Sequence, residues 1–120
     1  MPARLRPAAA DEVSAALTAS PRSPEQTRLL VKHFLAVLAE RAPGASVEVR
    51  VPPYAAVQAV PGVRHTRGTP PAVVELDAET WIALATGELS WGEAERDSRV
   101  LASGERADLS PLLPLLDEEG

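Results

Sequence analysis

Residues 72–87 read Ala-Val-Val-Glu-Leu-Asp-Ala-Glu-Thr-Trp-Ile-Ala-Leu-Ala-Thr-Gly, and two hydrophobic periods meet within them. Ala72, Val74 and Leu76 share one face of an extended segment with Glu75 opposite, the period-two pattern of a half-buried strand. Asp77 then supplies an N-cap for a helix from Ala78 to Thr86, and Gly87 supplies its stop. A strand that runs straight into a capped helix predicts a sheet with helices laid on it.

Upstream, Ser23 is a good N-cap, Pro24 suits the first helical position and Gln26 completes a capping box, so a helix starts there and runs to about Arg41, before Pro43-Gly44. On a helical wheel Leu30, Val31, Phe34, Leu35, Val37 and Leu38 occupy a sector of about 160°, while Glu25, Arg28, Lys32 and Glu40 lie outside it. Val47, Val49 and Val51 alternate with Ser46, Glu48 and Arg50, which predicts a strand. Pro52-Pro53 breaks it, because proline removes a ladder donor. A second strand is expected from Ala55 to Val60, turned by Pro61-Gly62.

Downstream, Ser90 with Glu93 three residues on starts a shorter helix through Arg96. Val100 to Ser103 reads as a fourth strand, and Ser110-Pro111 opens a last apolar turn. Residues 1–22 read as a loosely attached leader with one short helix at about Asp11 to Ala19, residues 23–116 as the domain, and residues 117–120 as an acidic tail.

The chain has 120 residues, enough for one domain; 45% are hydrophobic and 24% charged, which fits a folded globular protein. Phe34, Tyr54, Trp81 and Trp91 are the only aromatics beside 21 alanines, so burial rests on aliphatic side chains at roughly 25 cal/mol per Å². There is no cysteine, hence no disulfide or thiol chemistry. No apolar run approaches the ~18 residues of a membrane span, and Asp11 and Glu12 argue against a secretory signal, so a cytoplasmic location and no stable membrane insertion are expected. A net charge of −5 argues against nucleic acid as a partner. That charge is uneven: residues 1–67 carry nine Lys and Arg against five Asp and Glu, residues 68–120 three against twelve. The halves attract within one fold, or copies associate head to tail.

From residue 72 onward the order of signals resembles the closing half of sterol carrier proteins: the strand Ala72–Leu76, Asp77, the helix with Trp81 and Leu84 ended by Gly87, then Leu89, Ala94, the strand Val100–Ser103 and Gly104. Val49-Arg50-Val51-Pro52-Pro53-Tyr54 and the run Arg64 to Pro71 resemble a compact bacterial branch of that family. The resemblance covers residues 24–116 and implies an α+β fold: a mainly antiparallel, twisted sheet of four to five strands, helices on one face, and an apolar cavity between the layers. It also implies binding of acyl chains, sterols or similar lipids without catalysis. Related domains also serve as non-catalytic appendages of acyltransferases and thiol-dependent isomerases. Just before the fourth strand, where relatives usually have glycine, this chain has Ser98.

Catalytic constellations are not expected. No G-x-S-x-G elbow occurs, and His33 and His65, without cysteine, cannot supply a metal site, so neither enzyme activity nor a cofactor is anticipated. His33 sits at the edge of the apolar helix face and reads as a boundary residue. Arg64, His65 and Arg67 form the one polar cluster of note. They either grip a carboxylate or phosphate head group or tether their loop to the acidic half. Leu30, Phe34, Trp81, Leu84 and Leu113 are expected to wall the cavity, with Trp91 as a further lining residue or as ordinary core. The turn with Leu109, Leu112, Leu113, Leu115 and Leu116 seals a pocket mouth, closes the core or forms a homodimer or partner-protein contact. Two functions follow: an apolar small-molecule binder, or an interaction domain with a filled core.

Overall fold

The computed structural model describes residues 5–62, 72–103 and 107–116. Helix α1 (Ala10–Thr18) precedes α2 (Pro24–Arg41), whose start is set by a reciprocal capping box. The Ser23 hydroxyl accepts from the Gln26 N–H at 3.1 Å, and the Gln26 side chain accepts from the Ser23 N–H at 2.9 Å. Leu30, Val31, Phe34, Leu35 and Leu38 are buried as the wheel requires, and Val37 is half-buried at the margin. Ala36, outside that sector, is buried too. The N-terminal segment accounts for a second covered side: Val13 and Ala16 of α1 enter the core, and the Ala8 N–H donates to His33 Nδ1 at 2.9 Å.

The sheet has four strands, β1 (Val47–Val51), β2 (Ala55–Ala59), β3 (Ala72–Leu76) and β4 (Val100–Ser103), in the order β2-β1-β3-β4. β1–β2 and β3–β4 are antiparallel, whereas the central pair β1–β3 is parallel, with Val49 opposite Val74. Val47, Val49, Val51, Ala59, Val74 and Leu76 turn toward the helices and are buried. Arg50 and Glu75, neighbours across the parallel pair, form a 3.8 Å ion pair on the solvent face. The helices therefore cover one side of the sheet. Val60, expected in the second strand, lies just beyond it with φ of +72°. Its N–H bonds to Ala42 O and its carbonyl to Ser46, which pulls it out of the ladder.

Asp77 caps α3 (Ala78–Thr86) by accepting from the Thr80 N–H at 2.8 Å, and Gly87 ends it at φ +85°. Ser90 and Glu93 form a second capping box at the start of α4 (Trp91–Arg96). After β4 a single 3-10 turn, η1 (Ser110–Leu112), leads into a segment whose Leu115 N–H donates to Ala85 O at 2.8 Å. Buried Thr80 accepts from Arg99 Nε at 3.0 Å, tying α3 to the chain that enters β4. Among the described residues no helix is long and apolar enough to cross a membrane.

Candidate functional site

The apolar layer between sheet and helices gathers the expected lining residues. Leu30 and Phe34 come from α2, Trp81 and Leu84 from α3, and Trp91 from the first turn of α4; all five are buried in one cluster. Leu113 is half-buried against that cluster, after η1. Arg64, His65 and Arg67 lie outside the described residues.

The two tryptophans differ in one atom. Trp81 Nε1 donates to the Val31 carbonyl at 3.3 Å, so its indole closes the gap between α3 and α2 with its polar edge satisfied. Trp91 Nε1 is buried and has no hydrogen-bond partner among the described residues. An unmade bond at a buried donor costs about 1–3 kcal/mol, and sites of this kind are uncommon in native proteins. No sequence signal distinguishes the two, because both are tryptophans on short capped helices.

His33 packs edge-on against Phe34, with ring centroids 4.9 Å apart. Its Nδ1 accepts from the Ala8 N–H, so the neutral ring carries its proton on Nε2. Burial holds the imidazole below its ordinary value, against the pull of Glu40. The hydroxyls of Ser23 and Ser90 cap helices and that of Ser46 bonds to Val60 O, so each serves the backbone. No group of three or more His, Cys, Asp or Glu that could hold a metal occurs among the described residues.

Open grooves mark the surface of the described residues, three of them as follows. One, of about 430 Å³, runs between the start of α2 and the Pro52-Pro53 turn, with Tyr54 and Asp77 on its wall. A second, of about 530 Å³, follows residues 17–22 to Glu79, and the Arg22–Glu79 pair at 3.5 Å stands beside both. The third lies along the outer side of α2 at His33. None of the three is lined by Leu30, Phe34, Trp81, Leu84, Trp91 or Leu113.

The four-stranded, mostly antiparallel sheet with helices on one face is the α+β architecture that the sequence resemblance implies. No curated protein matches the chain. Residues 23–115 match the family model described as Bacterial SCP ortholog, and the chain belongs to that family.

Proposed function

We propose that the protein is a non-catalytic carrier that binds an acyl lipid or sterol-like molecule between its sheet and its helices. Family membership supports an apolar ligand. The observation that carries the reading is the Trp91 N–H, which has no partner among the described residues and is a donor that a ligand carbonyl, carboxylate or hydroxyl would satisfy. The wall is built from Leu30, Phe34, Trp81 and Leu84, and the half-buried Leu112 and Leu113 form the door. Arg64, His65 and Arg67 are the head-group candidates. A second reading, an assembly domain with a filled core, is favoured by the complete burial of Leu30, Phe34 and Trp81.

Native mass spectrometry of protein purified without detergent, with oleate then added to an isotope-labelled sample, separates the two. Carriage predicts added lipid mass and a downfield shift of the Trp91 indole proton while that of Trp81 stays put. Bare protein mass with both indole signals unmoved would establish the filled core.

A further inference from the structure

The groove on the outer side of α2 has a character unlike the interior. Arg6, Arg28 and Lys32 surround it, with Glu25 as the single carboxylate, over a volume of about 290 Å³. Its floor is half-buried Ala8, Leu29 and His33. Glu25, Arg28, Leu29, Lys32 and His33 recur every three or four residues, so the helix lays them in one stripe. Arg6 joins them from a distant part of the chain because the Ala8 N–H to His33 Nδ1 bond docks the N-terminal segment there.

These cations stand apart in how they are used. Arg22 pairs with Glu79, Arg50 with Glu75, and Arg99 bonds to Thr80. Arg6, Arg28 and Lys32 make no hydrogen bond or ion pair among the described residues. In a chain of net charge −5, three cations around one carboxylate create a local field opposite in sign to the whole. Glu25 offsets one of the three charges, and the excess of two positive charges favours a negative group that sits among them.

We propose that this groove binds a small organic anion through its phosphate or carboxylate group. The two guanidiniums offer paired N–H donors to adjacent oxygens, and Lys32, the only lysine of the chain, adds a compact charge. His33, its Nδ1 occupied, presents Nε2–H as a neutral donor. Ala8 and Leu29 accept the carbon that bears the anion. The volume of about 290 Å³ falls just short of the roughly 300–1,000 Å³ of ligand pockets, which suits a small anion and not a lipid chain.

Titration of the isotope-labelled full chain with inorganic phosphate, and separately with acetate, against a sodium chloride control of equal ionic strength tests this site. Neither probe carries an alkyl chain, so the result is independent of lipid carriage in the interior. Saturating shifts at the amides of Ala8, Leu29, Lys32 and His33 are expected with at least one probe. In R28Q/K32Q, both changes at the surface, affinity should fall at least about tenfold with thermal stability kept. Shifts that grow linearly and match the chloride control, or equal affinity in the double variant, would overturn the proposal. Capture by anionic phospholipid vesicles with no saturation by phosphate or acetate would also overturn it, identifying a membrane-facing patch instead.

Discussion

Ser46 holds the carbonyl oxygen of Val60 twice, through its backbone N–H at 3.1 Å and through its hydroxyl at 2.7 Å. Its own carbonyl accepts from the Ala72 N–H at 2.9 Å. One residue at the start of β1 thus fixes where the chain leaves β2 and where it enters β3. Two glycines make the approach close: a Cβ on Gly44 would strike the Val60 carbonyl, and one on Gly62 would lie 2.7 Å from Ser46 Cβ.

Ser46→Ala should therefore cost about 1 kcal/mol, the worth of one hydrogen bond. Gly62→Ala should cost about 1–3 kcal/mol through overpacking against Ser46. In a Ser46→Gly background the second penalty should shrink, because the colliding Cβ is gone. Urea midpoints of wild type, Ser46→Gly, Gly62→Ala and the double variant check the cycle, and that of Ser46→Ala the hydrogen bond; strictly additive effects in the cycle would show that the two residues do not meet.

Ser98 has φ of +57° at the end of α4, where its N–H bonds to Glu95 O and the Arg99 N–H reaches Ala94 O. This is the left-handed position of a Schellman motif, which glycine fills at no steric cost. The glycine that the resemblance leads one to expect before the fourth strand would have its physical reason here. Relief of about 1–2 kcal/mol of backbone strain outweighs the extra chain entropy of about 0.4–1 kcal/mol, so Ser98→Gly should stabilise by about 0.5–1 kcal/mol. Calorimetry should find a Tm a few degrees higher; an unchanged or lower Tm would refute the account.

The pH dependence of stability should carry a His33 component. The folded imidazole titrates below the 6.5 of a free one because burial penalises its charged form. The unfolded chain thus takes up the proton first as pH falls, and protonation favours unfolding. The contribution is complete above pH 6.5 and is lost as pH drops through the folded value. Protonated Nδ1 would also face the Ala8 N–H donor to donor. Arg6, Arg28 and Lys32 around the same groove oppose the added charge, while Glu25 and Glu40 favour it. Wild type should lose more Tm than His33→Asn over this window, with both carrying the same carboxylate background; parallel curves would remove His33 from the account.

Local chemistry was legible in the sequence. Both capping boxes were readable because their partners stand three residues apart, and three strands because alternation marks the buried face. β2 was read one residue long, since nothing local announces that Val60 is claimed by Ala42 and Ser46. Long-range pairings left no such trace: the parallel β1–β3 register, the Arg99–Thr80 bond and the Ala8–His33 bond join residues that meet only once the chain has packed. Helical periodicity marks Leu30 and Phe34 as interior and the resemblance points to Trp81 and Leu84, but the difference between the Trp81 and Trp91 indoles depends on whether a carbonyl lies opposite, which neither encodes.

The parallel pairing at the centre of the sheet bears on synthesis. As the chain leaves the ribosome, α1, α2 and the β1–β2 hairpin emerge before β3, and until it follows the free edge of β1 has no neighbour. Only after α3 and α4 does β4 arrive to cover the far side of β3. Every nascent chain therefore passes through a stage with bare valine-rich strand edges, the hazard for which chaperones exist. A tag or fusion partner at the N-terminus adds nothing to that interval, whereas slowed translation between β2 and β3 lengthens it.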